Sequence, residues 1–210
     1  MNYNTIKKIF PNENCINPKK IKYDSEGLWS ISHPESAELL TSKIKIFEKT
    51  GLKINSILDA TAGLGGNTFS FAANFNKIIA CEIDNSRFEI LRNNLECYNY
   101  KNIIAVNSDC IDFIKNTEES IDAIFFDPPW GGPNYKYEDN VEIKLSDFEL
   151  NEICTLIYEN TKCKLVIFKL PYNYDINSQF KKCKSIIKIK HIFKEGNISY
   201  LFILINSKIE

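Results

Sequence analysis

The chain has 210 residues, of which 44% are hydrophobic and 25% charged, and its formal net charge is −1. That length supports one domain with a full core, and the composition excludes collagen-like, mucin-like and largely disordered chains. A charge so near zero provides no global basic field to draw the chain onto nucleic acid.

Residues 1–30 are polar and dotted with lysine (Lys7, Lys8, Lys19, Lys20, Lys22), and they carry Pro11 and Pro18. They read as an arm folded onto a domain that spans 31–210. Residues 34–47 have helical apolar spacing through Ala37, Leu40, Ile44 and Phe47, with Ser32 as the expected N-cap and Gly51 as the stop. From there short apolar runs at 57–60, 78–81, 103–106, 121–126 and 165–168 predict strands. Helical segments fall between the first of them, at 67–73 and 85–98, the latter with Phe88, Leu91 and Leu95 on one face. Strands alternating with helices predict an α/β fold with a parallel sheet covered on both faces. The rhythm breaks at the end. Two β-rich runs, 185–193 and 198–205, are joined by Lys194-Glu-Gly-Asn197, which predicts an antiparallel C-terminal hairpin on a mostly parallel sheet.

The first strand runs into Asp59-Ala-Thr61-Ala-Gly63-Leu-Gly65-Gly66-Asn-Thr68. Glycines at a strand-to-helix turn let backbone approach a ligand closely. The spacing is not the G-x-G-x-x-G of dinucleotide sites, and Asp59 before the loop would repel a pyrophosphate while accepting hydrogen bonds from a ligand ammonium. This pattern favours S-adenosylmethionine over NAD. The second strand ends at Glu82, with Asp84 close behind, and a carboxylate about 20 residues after the loop can grip ribose hydroxyls. The third strand leads into Asp109-Cys110, where a carboxylate can accept the adenine amino hydrogen.

The fourth strand delivers Asp127-Pro128-Pro129-Trp130-Gly131-Gly132-Pro133. Transfer of a methyl group to an exocyclic amine needs acceptors that hold the amine while its lone pair points at the methyl carbon. The Asp127 carboxylate and the Pro128 carbonyl are candidates, and the catalysis is by positioning. Trp130 offers an aromatic face for a flipped-out or terminal base.

Together, Asp127-Pro-Pro-Trp-Gly-Gly-Pro133, Ala62-Gly-Leu-Gly-Gly-Asn-Thr68, the upstream Ile21-Lys-Tyr-Asp24-Ser-Glu26-Gly27-Leu-Trp29-Ser30 and Arg92-Asn93-Asn94 resemble the trimethylguanosine synthase family, the RNA cap guanine-N2 methyltransferases. The resemblance runs from about residue 20 onward and implies a class I Rossmann-like methyltransferase. It implies S-adenosylmethionine as donor and a 7-methylguanosine RNA cap as acceptor. By the same resemblance Asp59, the Gly63–Gly66 loop, Glu82 and Asp109 belong to the donor site. Trp130 stacks on the methylated base, whose positive charge adds cation–π attraction of about 2 kcal/mol when desolvated. A second stacking aromatic is expected at Phe10, with Trp29 as the alternative. The family has Ser before Pro-Pro-Trp, whereas this chain has Asp127, a form shared with adenine-N6 enzymes.

The cap phosphates need cations, and the candidates are the arm lysines, Lys136 and the basic stretch 181–194. Acidic residues Glu138, Asp139, Glu142 and Asp147 follow the loop, so a cap and a few phosphates are expected rather than a long RNA. Rival readings are an adenine-N6 or ribosomal-RNA guanine-N2 methyltransferase, a binding module without turnover, and an NAD oxidoreductase. Neither a membrane nor a metal is expected. No apolar run reaches the ~20 residues of a bilayer span, the N-terminus has no apolar signal core, and seven scattered cysteines with only His33 and His191 form no metal-ligand spacing. A monomer in a reducing intracellular compartment, nucleus or cytoplasm, is expected, from a cellular or viral source.

Overall fold

The computed structural model describes residues 6, 8–11, 13–180, 186–192 and 198–205. The chain divides into two compact units, one up to Cys110 and one from Ile111.

In the first unit, strands β1 (Ser56–Asp59), β2 (Lys77–Glu82) and β3 (Ile103–Asn107) lie in the order β3-β2-β1, all parallel, with Leu58 opposite Ile79 and Ala80 opposite Ala105. Helix α1 is Ser25–Ser30, and α2 is Pro34–Lys45, which runs on as a 3-10 turn Ile46–Thr50 to a left-handed Gly51. Helix α3 is Gly66–Ala72 and α4 is Asn85–Glu96. The sequence places all of these except α1 within a few residues. One cap differs. The N-cap of α2 is His33, one residue after Ser32 and without a side-chain cap bond, because Pro34, with its fixed φ, takes the first helical position.

The arm is tied into this unit. Ile9, Phe10, Ile21 and Ile31 are buried in one cluster with Leu64, Phe69, Cys97 and Tyr98, and the Tyr98 hydroxyl donates to the Pro11 carbonyl at 2.7 Å. Asn94, fully buried, accepts from the Lys22 amide at 2.8 Å and donates to the Lys22 carbonyl at 2.9 Å. Asn93 donates to the Lys20 carbonyl at 2.8 Å. A side-chain amide thus completes the backbone pairing of an extended arm segment. Arg87 of α4 bridges to Asp24 at 3.5 Å and Glu26 at 2.9 Å. Burial alone would lower the Arg87 pKa, but Glu26, Glu82 and Asp24 together hold it above its ordinary value. Gly66 is required by close approach, since a Cβ there would lie 2.7 Å from the Ser32 carbonyl oxygen.

In the second unit, β4 (Ala123–Phe126) and β7 (Leu165–Pro171) pair in parallel, β7 pairs antiparallel with β9 (Ile198–Ile205), and β9 antiparallel with β8 (Ile186–Ile192). The antiparallel C-terminal pair matches the sequence pattern; its linking residues 194–197 fall outside the described residues. A two-stranded ladder of β5 (Lys144–Leu145) and β6 (Phe148–Glu149) precedes a helix the sequence reading did not include, Leu150–Asn160. The remaining helices, numbered in chain order, are α5 (Cys110–Asn116), α6 (Leu150–Asn160) and α7 (Ile176–Gln179). A reciprocal capping box of Glu149 and Glu152 starts α6, which buries Leu150, Ile153, Cys154 and Ile157, the i, i+3, i+4, i+7 spacing of an amphipathic helix.

Among the described residues, no helix is long and apolar enough to cross a membrane, and no group of His, Cys, Asp and Glu could hold a metal ion.

Asn94→Ala leaves the Lys22 amide and carbonyl without their partner and is expected to cost about 2 kcal/mol, read as a lower urea midpoint at an unchanged slope. Gly66→Ala is expected to cost about 1–3 kcal/mol, because backbone has to move.

Candidate active site

The first unit carries the residues assigned to the donor. Asp59 closes β1, is fully buried, and accepts the Thr68 hydroxyl at 2.6 Å. Thr61 and Gly63 follow, each half-buried. Gly63 has φ +55 with nothing within 4 Å of where a Cβ would stand, so the turn needs a left-handed residue and faces open space. Glu82, 6% exposed at the end of β2, accepts the Gly63 amide on one oxygen and the Asp84 amide on the other, both at 2.9 Å. Its carboxylate therefore holds the glycine loop in place. Asp84 is the N-cap of α4, accepting from the Arg87 amide at 2.7 Å. Of the two carboxylates considered for a ribose, Asp84 serves the helix, and Glu82 is the one that joins the loop.

Asp109 is half-buried and Cys110 buried at the start of α5. The Cys81 thiol lies among these groups. Its pKa is pushed far up by burial first, then by Cys110, Glu82, Asp109 and Asp59. Four of the residues singled out from the sequence thus share one electrostatic neighbourhood at the carboxyl ends of the strands. Three of them are carboxylates. That set suits a ligand carrying a sulfonium, an ammonium and hydroxyl donors, and it disfavours a pyrophosphate. S-adenosylmethionine fits it on those grounds.

The second unit carries the acceptor loop. Asp127 and Trp130 are half-buried and Pro128 is buried. Trp130 meets Tyr135 edge to face, with centroids 5.1 Å apart, and its indole N–H donates to the Lys169 carbonyl at 3.3 Å. Lys169 itself is 7% exposed, inside β7, and its Nζ lies 2.5 Å from Asp127 Oδ2. Asn173 donates to the carbonyls of Tyr135 at 2.8 Å and Glu138 at 2.7 Å, and the Tyr172 hydroxyl donates to the Lys136 carbonyl at 3.0 Å. These bonds fix the 3-10 turn Pro133–Tyr137 that follows the loop. Burial, then Tyr172, raises the Tyr135 pKa, so Tyr135 stays a neutral phenol.

Lys169 and Asn173 were not singled out from the sequence. A lysine inside the apolar run Leu-Val-Ile-Phe-Lys-Leu-Pro was the available signal, since an unpaired charge is not tolerated in a buried strand.

The remaining assignments divide. Phe10 is 1% exposed within the first unit's hydrophobic cluster, so its ring has no face to offer a base and acts as core. Trp29 is 85% exposed and has a free face. Lys8, Lys19, Lys20, Lys22 and Lys136 are exposed, and Lys7 and residues 181–185 lie outside the described residues.

A family model described as RNA cap guanine-N2 methyltransferase matches residues 54–208. The chain belongs to that family. An uncharacterized protein of Acanthamoeba polyphaga mimivirus is 32% identical over 88% of this chain and 80% of its own length. Trimethylguanosine synthase of Schizosaccharomyces pombe is 29% identical over 72% of this chain and 66% of its own. A ribosomal RNA small subunit methyltransferase J of Francisella philomiragia is 30% identical, over 59% of this chain and 57% of its own length. Among solved structures, a methyltransferase from Pyrococcus furiosus superposes with a TM-score of 0.56 at 24% identity, covering 89% of this chain and 88% of that one. One from Geobacter sulfurreducens gives 0.58 at 14%, covering 84% and 81%. The fold is that of class I methyltransferases, and the chain is a methyltransferase; family and fold imply S-adenosylmethionine as the methyl donor.

Glu82→Ala removes the acceptor of two loop amides and is expected to weaken S-adenosylmethionine binding about tenfold or more, measured by titration calorimetry. Trp130→Ala is expected to leave that affinity unchanged and to abolish detectable binding of 7-methylguanosine diphosphate. Loss of donor binding in a folded Trp130 variant would refute the division of labour.

Proposed function

We propose that this chain transfers a methyl group from S-adenosylmethionine to the exocyclic N2 of 7-methylguanosine at the 5′ end of RNA, giving dimethylguanosine and, with a second turnover, trimethylguanosine. The observation that carries the proposal is the acceptor loop, where a half-buried indole and a carboxylate share one rigid turn beside a buried proline. Family membership supports the same reading.

Bound S-adenosylmethionine supplies an electrophilic methyl carbon whose bond to sulfur breaks as the amine lone pair forms the new N–C bond. The protein's part is to present that lone pair. Asp59, Glu82 and Asp109 would hold the donor, as acceptors for its ammonium, ribose hydroxyl and adenine amine hydrogens. Trp130 stacks on the base, whose delocalised positive charge favours an aromatic face. Asp127 and the Pro128 carbonyl accept the amine N–H groups and fix its direction, which is positioning in the strict sense. The surplus proton leaves the amine after attack and passes to solvent, so no strong general base is required. The arm, with Lys20 and Lys22 held by Asn93 and Asn94 through their backbone, presents exposed cations to the cap phosphates. Trp29 is the candidate second aromatic.

The likeness to a ribosomal RNA methyltransferase favours one alternative, methylation of an uncapped RNA. Methyl transfer from radiolabelled S-adenosylmethionine separates the two. Transfer to 7-methylguanosine diphosphate and not to GDP, with product mass reporting one or two methyl groups, is the expected result. Transfer to uncapped RNA at least as efficient as to the cap analogue would overturn it.

A further inference from the structure

Lys169 is a charged residue in a strand whose every residue is buried. Desolvating an ammonium costs several kcal/mol, and a buried ion pair returns little net stability over an apolar replacement. Packing therefore does not explain the lysine. What distinguishes it is that it touches both members of the acceptor loop. Its Nζ is 2.5 Å from Asp127 Oδ2 and 5.6 Å from the centre of the Trp130 ring, and its carbonyl accepts the Trp130 indole N–H.

We infer that Lys169 is a specificity-determining residue, which together with Asp127 reads the Watson–Crick edge of a guanine stacked on Trp130. The inference rests on the guanine reading above. With Lys169 Nζ on Asp127 Oδ2, the pair offers two acceptors, Oδ1 and Oδ2, followed by a donor, Nζ. Guanine presents the complementary row, which is the N2 amine hydrogen, the ring N1 hydrogen and the O6 oxygen. A carboxylate meets two adjacent N–H groups in bidentate fashion, and the ammonium closes the row on O6. Adenine has one amine donor and one ring acceptor on that edge. It satisfies two of the three positions at most and leaves a charged oxygen without a donor, a penalty that sites built on hydrogen bonds convert into strong discrimination. The pairing also resolves an electrostatic conflict. A lone lysine above Trp130 would repel a cationic base, whereas the Lys169–Asp127 pair is neutral as a unit and leaves the ring available to that base.

The test compares binding of 7-methylguanosine diphosphate with that of its 6-thio analogue, in which sulfur, a weak acceptor, replaces O6 and both N–H groups remain. The intact protein is expected to bind the 6-thio analogue about tenfold more weakly, the scale of one hydrogen bond from a charged donor. Lys169→Met is expected to bind both compounds with equal, reduced affinity, and Lys169→Arg to keep the preference. A purely structural lysine would give a Met variant that loses affinity for both compounds by the same factor and so retains the tenfold gap. That result overturns the inference and leaves the cap reading standing. Equal binding of the two compounds by the intact protein overturns it as well, and this arm needs no folded variant. Failure of the intact protein to bind either compound removes the cap reading itself, and the inference with it.

Discussion

A strand buried on both faces can keep an unpaired charge only at its end. That constraint organises both units. In β1, β2 and β4 every residue is buried or nearly so, and the carboxylates assigned to the donor and to the amine stand where those strands stop, at Asp59, Glu82 and Asp127. Within each unit, parallel pairing places the carboxyl ends of neighbouring strands on one edge, β1 beside β2 and β4 beside β7. Apolar strands are therefore a condition of the site as well as of the core.

In the first unit the carboxylates at those ends act on the protein itself. Glu82 spends both oxygens on loop amides, and Asp59 takes the hydroxyl of Thr68 in α3. Each carboxylate oxygen has a second lone pair, so on the proposed reading a ribose hydroxyl would add to this arrangement without dismantling it, and a loop already held in place lowers the ordering cost of binding. The arm is joined to the same framework from outside. Asn94 anchors it by backbone bonds and Arg87 by ion pairs. Both residues belong to α4, which begins just after Glu82, the residue that holds the glycine loop.

The acceptor loop follows the opposite economy. Its rigidity comes from residues far along the chain. Lys169 and Asn173 sit on and just after β7, more than thirty residues beyond Trp130, and together they hold the carboxylate, the indole and the turn after them. A charged residue buried in a strand is costly unless its partner is well placed, and here the partner is the residue assigned to the reacting amine.

Much of this was legible in the sequence because it depends on short-range pattern. Alternating apolar runs and helical spacing announced the parallel strands and the C-terminal hairpin, and turn glycines with strand-end acids pointed to the loop and the carboxylates that the structure brings together at Gly63, Glu82 and Asp59. Helix α6 carried equally clear spacing, but its capping box uses Glu149 in place of the usual Ser or Thr, which hid its start. Other features were settled by tertiary structure alone. Phe10 and Trp29 are both aromatics in a polar arm, and only packing against Phe69 and Tyr98 sends the first into the core while the second stays 85% exposed. Asp84 and Glu82 are both strand-end acids, and only the local turn makes one a helix cap and the other the support of the loop. The partnership of Asp127 with Lys169 spans 42 positions. Sequence spacing cannot express it, because it exists only once β4 and β7 lie side by side and desolvation forces two buried charges to meet.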